Sequence, residues 1–149
     1  MKANKKEIQR IQSSKKERSS ALEGIPEGLP ALSLAYQLTK EASRLGFDWP
    51  DLKQVLTKLD EELEEFREAL SCQNRKRIRE ELGDLLFVLV NIARFLRINP
   101  EEALRKTAVK FTSRFRYIET ALRKKRKTFG HSNLIEMDRL WEEAKKNNK

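Results

Sequence analysis

The sequence predicts an all-α fold, and three observations carry that prediction. Charged residues make up 37% of the chain and aromatic residues only 7%, with Gly and Pro scarce. That is the balance of a helical protein and not of a β sandwich. Apolar residues recur at helical spacing from about residue 30 onward, and short turns containing Gly, Asn or Pro interrupt the pattern. The length of 149 residues suits one domain with enough chain for a real core. Residues 1–23 read as a polar extension or linker, 24–146 as the helical domain and 147–149 as a tail.

Gly24 to Pro30 is punctuated as a linker. A first helix is expected from about Pro30 to Leu45, with Leu34, Leu38 and Ala42 or Leu45 inward and Gly46 as its stop. Phe47-Asp48-Trp49-Pro50 turns the chain, with Pro50 placed to begin the next helix and Trp49 as a packing anchor. The second helix spans roughly 50–71, and Cys72-Gln73-Asn74 makes its closing turn. The third spans roughly 75–97; its stretch from Leu85 to Ala93 is apolar nearly all round, with Leu86, Phe87 and Val90 turned away from the acid side, toward either a subunit interface or burial under the flanking helices. Asn99-Pro100-Glu101-Glu102 is a helix start, and the fourth helix runs to about Lys127 with Leu104, Ala108, Phe111, Phe115 and Ile118 as its stripe. Asn133 with Glu136 caps a last helix carrying Leu134, Met137, Leu140 and Trp141.

The chemistry of the chain is concentrated in two acidic clusters, Glu61-Glu62-Leu63-Glu64-Glu65 and Glu80-Glu81-Leu82-Gly83-Asp84. In each, two carboxylates stand three residues apart, Glu62 with Glu65 and Glu81 with Asp84, so each pair shares a helix face. The fifteen residues between Glu65 and Glu81 suffice to finish one helix, turn and start an antiparallel partner. The two acidic faces can then meet. Solvated helix faces are the ordinary fate of Glu-rich runs, but angular position argues otherwise here. Glu62 falls at the edge of the stripe Leu52, Val55, Leu56, Leu59, Leu63, Phe66 and Leu70, with Lys58 and Glu65 just beyond. Glu81 falls inside the stripe Ile78, Leu82, Leu85, Val88, Leu89, Ile92 and Leu96, with Asp84 on its flank near Arg77 and Asn91. Acids in a core sector need a cation or a proton. An all-oxygen set favours a hard cation, Mg²⁺ or Mn²⁺. Glu61 and Glu80 neighbour the cluster, but the helical projection turns both away.

Several function classes fall away. His131 is the one histidine and lies in a loop, which removes the Glu-x-x-His pair of a di-iron bundle. There is no Gly-rich phosphate loop. Cys72 is the one cysteine, with no partner for a disulfide and no His for thiol catalysis, and it fits a reducing, cytoplasmic compartment. No apolar run approaches membrane-spanning length. The net charge of +9 raises nucleic acid, but its surplus sits in Lys2–Arg18 and Arg123–Lys127, neither interleaved with aromatics. Lys110 and Arg114 share a face beside the stripe of the fourth helix. They read either as a charged flank or as phosphate contacts. A basic nucleic-acid binder and a non-catalytic helical module remain the alternatives to an enzyme.

Taken together, these residues resemble the MazG-type nucleoside triphosphate pyrophosphohydrolases. The resemblance rests on Glu61-Glu62-x-x-Glu65 and Glu81-x-x-Asp84 within Glu-Glu-Leu-Gly-Asp-Leu-Leu-Phe. It extends to Gly28-Leu29-Pro30-Ala31-Leu32, Gly46-Phe47-Asp48-Trp49, Val90-Asn91-Ile92-Ala93-Arg94, Lys110-Phe111-x-x-Arg114-Phe115 and Met137-x-x-Leu140-Trp141. It covers about residues 24–146 and is nearest to the C-terminal domain of the two-domain members. One copy of the domain is present here, preceded by a stretch similar to their interdomain linker. The resemblance implies an antiparallel helical bundle assembled as a homodimer or higher even oligomer. It implies Mg²⁺-dependent hydrolysis of NTPs or dNTPs to the monophosphate and pyrophosphate. It implies that Glu62, Glu65, Glu81 and Asp84 ligate metal. Lys58, Arg77, Lys110 and Arg114 would contact phosphates, Trp141 the nucleotide, and Lys145, one turn on, would be a further contact.

Overall fold

The computed structural model describes residues 20–147. Among them are five α-helices and no strand: α1 (Ala31–Arg44), α2 (Leu52–Ser71), α3 (Arg75–Phe95), α4 (Pro100–Lys124) and α5 (Leu134–Asn147), with a 3₁₀ turn at Phe129–His131. The all-helical expectation is met. The chain divides into two units, one ending at Pro100 and the other beginning at Glu101. The expected polar extension falls almost wholly on residues outside those described.

In the first unit α2 and α3 form a hairpin, and α1 packs on α3. Local chemistry sets the ends. Pro50 does not start α2; Asp51 does, its side chain accepting from the Gln54 N–H at 2.9 Å. A carboxylate cap satisfies an otherwise orphaned donor, which proline at the same point would not do. Asn74 caps α3 in the same way, accepting from Lys76 and Arg77 N–H groups. Gly46 ends α1 at φ +87°, with its own N–H donating to Ser43 and that of Phe47 to Ala42. The same motif closes α3 at Arg97 and α4 at Arg126, both at positive φ. Those two left-handed residues stop α3 and α4 two to three residues before the expected ends at 97 and 127. Helical periodicity alone gives no sign of a left-handed arginine.

The buried line of α2 is Val55, Glu62 and Ala69, one residue every seven. On α3 the matching line runs through half-buried Glu81, exposed Asp84 and buried Val88 and Asn91, spaced three, four and three. This is the seam spacing of paired helices. The turn is centred on Gln73, so Glu62 faces Asp84 and Val55 faces Asn91 across the hairpin. Of the expected stripes, Leu56, Leu63 and Leu70 on α2 and Leu82, Leu89 and Leu96 on α3 are instead 36–51% exposed. Each except Leu96 is one residue beyond a seam position. In antiparallel helices that offset turns both lines to the same side, giving one exposed leucine face. Of the residues turned away from the acids, Val90 is buried at 1% exposure, while Leu86 and Phe87 are open.

The corner at Phe47–Trp49 is pinned to α3. Arg94 grips Asp48 with both Nη groups, Nη1 to Oδ2 at 2.8 Å, and Nη2 also donates to Asn91 Oδ1 at 3.2 Å. Asn91 is fully buried and donates to the Phe87 carbonyl at 3.2 Å. Trp49, the expected packing anchor, is half-buried and lines a cavity of about 270 Å³ beside Phe87, Asn91 and Arg94.

In the second unit Ile118 and Leu122 of α4 bury against Leu140 of α5, with Tyr117, Met137 and Trp141 around them. Leu104, Phe111 and Phe115, expected in the core stripe, are 57%, 57% and 39% exposed. The short α5 covers the C-terminal part of α4, where Ile118 lies. The basic run is partly neutralised: Lys125 and Lys127 both reach Glu136 at 2.9 Å, and together they hold its carboxyl down to about 2.

Candidate active site

Two helices build the site by inserting acids into their shared seam. Glu62 replaces an apolar residue in the line Val55–Glu62–Ala69 and is only 6% exposed. Glu81 and Asp84 occupy the first two seam positions of α3. As a result Glu62, Glu81 and Asp84 each present a carboxylate oxygen within 4.8 Å of the others. Glu65 is exposed and stands outside that trio, although it shares a helix with Glu62. Glu61 and Glu64 are exposed, as the projection requires.

Electrostatics follow from the crowding. Burial, then the charges of Glu62 and Glu81, push the Asp84 carboxyl up. Two cations offset the group. Lys58 Nζ lies 2.7 Å from Glu62 and 3.4 Å from Glu61, and its ammonium is held charged above its ordinary range, chiefly by the Glu62 hydrogen bond. Arg77 Nε donates to Glu81 Oε1 at 3.2 Å, and its Nη2 donates to Glu68 Oε2 of α2 at 3.3 Å. Glu80 pairs with Lys76 at 3.8 Å and faces away from the trio. Three convergent carboxylate oxygens with no histidine or thiolate form a donor set that could hold a hard cation.

The remaining sequence candidates lie in the second unit. Lys110 is exposed on α4. Arg114 lies with its guanidinium 5.5 Å from the Trp141 ring centre, and its Nε is buried without a hydrogen-bond partner. Trp141 also meets Phe111, ring centres 5.3 Å apart. Lys145 pairs with Glu142 of its own helix. The structure thus joins Arg114 to Trp141 and keeps Lys58 and Arg77 at the acids. Sequence reasoning missed Glu68 and the Asp48–Arg94 clamp. Glu68 offered no signal, because its tie is to a residue on another helix. Asp48 and Arg94 stood in quoted motifs, but nothing in their spacing showed that they pair.

Residues 51–118 match the family model described as the MazG nucleotide pyrophosphohydrolase domain. That span takes in both acidic helices and Lys110 and Arg114. The chain is 40% identical over 136 residues to the nucleoside triphosphate pyrophosphohydrolase/pyrophosphatase MazG of Thermotoga maritima, covering 91% of this chain and 52% of that protein. It is 34% identical over 142 residues to the nucleoside triphosphate pyrophosphohydrolase of Escherichia coli, covering 94% and 54%. It is also 41% identical over 144 residues to an uncharacterised protein, YabN, of Bacillus subtilis, covering 96% of this chain and 29% of that protein. The chain therefore spans about half the length of the two named pyrophosphohydrolases. The acids, the helices and the relatives thus point the same way: over residues 51–118 the chain is similar to the MazG nucleotide pyrophosphohydrolase domain.

Proposed function

We propose that the chain is a Mg²⁺-dependent nucleoside triphosphate pyrophosphohydrolase, converting NTP or dNTP and water to the monophosphate and pyrophosphate. The observation that carries this reading is the trio Glu62, Glu81 and Asp84, gathered within 4.8 Å in a helical seam. Glu62, Glu81 and Asp84 would hold the metal, with Glu65 completing the set from the next turn of α2; Mn²⁺ suits the same oxygens. The metal would supply charge stabilisation to the phosphates and make water a better nucleophile at neutral pH. Lys58 and Arg77 then turn from counter-charges of the acids into phosphate ligands. On the second unit, the resemblance would give Lys110 and Arg114 phosphate contacts and Trp141 and Lys145 a nucleotide contact.

The products test this directly. A panel of common NTPs and dNTPs with Mg²⁺, resolved by chromatography, should give NMP and pyrophosphate. Primary release of NDP and orthophosphate, or no turnover at all, would count against it.

The exposed leucine face on α2 and α3 supports assembly as a homodimer or higher even oligomer. Six leucines on one side of a hairpin are a poor surface to leave in water, and a second copy brings a self-complementary one. Light scattering at micromolar protein should give at least twice the 17.5 kDa chain mass. Leu63→Glu together with Leu89→Glu should shift the protein to monomer. A wild-type protein that is monomeric at that concentration refutes the assembly.

A further inference from the structure

We propose that Glu68 is a positioning residue that holds Arg77 in place to receive the triphosphate; this rests on the functional reading above. Arg77 is tied on two sides. Its Nε donates to Glu81 on its own helix at 3.2 Å, and its Nη2 donates across the hairpin to Glu68 at 3.3 Å. Lys58, by contrast, has its observed ion pairs with Glu61 and Glu62 of its own helix. Ala69, one residue after Glu68, is fully buried and small, so no large side chain at that point of α2 stands between the two helices.

The division of donors makes the tie useful. A guanidinium has five N–H groups in a rigid plane. Nε and one N–H of Nη2 are spent on the two carboxylates. The two N–H groups of Nη1 and the second of Nη2 stay available for contact with a phosphate. Glu81 is itself one of the acids that would face a metal. Once Glu81 turns to that cation, Glu68 is the anchor that keeps the Arg77 guanidinium, with its free N–H groups, beside the acids. Glu68 is 60% exposed at its side chain, so its substitution does not disturb the core. A bare surface ion pair would contribute almost nothing. A carboxylate near the site with no tie to Arg77 would repel the triphosphate, and its removal would tighten binding. The positioning role therefore predicts the opposite sign from simple electrostatics.

The test is a set of variants of the full chain: Glu68→Ala, Glu68→Gln, Arg77→Ala and the double Glu68→Ala/Arg77→Ala. Steady-state kinetics with Mg²⁺ should show KM for every NTP raised by about tenfold in Glu68→Ala with kcat nearly unchanged, since a ground-state contact is lost. Glu68→Gln keeps an acceptor and should restore a KM near wild type. In the double variant, the loss should be no greater than in Arg77→Ala alone. Calorimetric titration with tripolyphosphate reads the same pattern without turnover. A KM or tripolyphosphate Kd that is unchanged or lowered in Glu68→Ala overturns the proposal, as does full additivity with Arg77→Ala. Should the wild type release no pyrophosphate, the functional reading falls, and the tripolyphosphate titrations decide the role of Glu68 alone; no tripolyphosphate binding by wild type overturns it.

Discussion

Glu81→Gln should abolish nucleotide turnover while leaving the ion-free protein at least as stable as wild type. The first half follows from removing one of three converging carboxylates. Losing a metal ligand and its charge in a partly buried site should lower kcat by roughly a thousandfold or more, at the scale of removing a key electrostatic group. The second half follows from the neighbours. Glu81 lies within 4.8 Å of Glu62 and Asp84, so neutralising it relieves repulsion. Its partner Arg77 is not stranded, because that side chain is 38% exposed and keeps Glu68. Were Glu81 a purely structural acid in a closed ion pair, the same change would leave a buried cation uncompensated, at a cost of roughly 3–5 kcal/mol. Melting curves of both proteins with and without Mg²⁺ plus nucleotide separate the cases. Stabilisation by ligand should shrink in the variant, since only binding to the native state raises stability. A large ion-free destabilisation with turnover retained would sink the metal reading.

Asp48→Ala is the stability counterpart, with an expected loss of about 2–4 kcal/mol. Arg94 is only 11% exposed at its side chain and Asp48 25%, and the pair is bidentate. Removing the carboxylate leaves a largely buried guanidinium whose Nε already lacks a partner. Asn91, fully buried, would also lose the fixed position of its Arg94 donor. The effect should be read as a lower urea midpoint with unchanged m. A parallel test uses pH. The Arg94 hydrogen bond holds the Asp48 carboxyl below its ordinary range. Its stabilisation is therefore complete above the unfolded value of about 3.9 and lost as pH falls through the lower folded value. Below that window wild type and Asp48→Ala should converge in stability. Two proteins of equal urea midpoint at neutral pH would show that the clamp contributes nothing.

Much of the site was open to sequence reasoning because helices repeat. Glu62 at the edge of its stripe and Glu81 inside its own are facts of angle, and both proved to be buried or nearly so. The positions of Glu61 and Glu64 followed from the same arithmetic. Where the reading slipped, a non-periodic cause was at work. Asp51 outcompeted Pro50 for the start of α2 because a side-chain acceptor satisfies a backbone donor. Arg97 and Arg126 ended helices in a left-handed conformation that their residue type does not announce.

Periodicity also says which residues share a face but not which face finds a partner. Two apolar lines, one residue apart, ran along both α2 and α3. Only packing chose the line of Val55 and Val88 as the seam and left the leucines beside it exposed. In the same way the sequence by itself determined an all-helical chain with two acidic helices and a turn between them, since propensity, capping and spacing are local. The tertiary structure alone decided that three of the four expected acids converge while Glu65 stands outside, that Arg77 is shared by two helices, and that Asp48 meets Arg94 from forty-six residues away. Those outcomes depend on the register of one helix against another, and register is set by how side chains fill the space between helices, which no single segment contains.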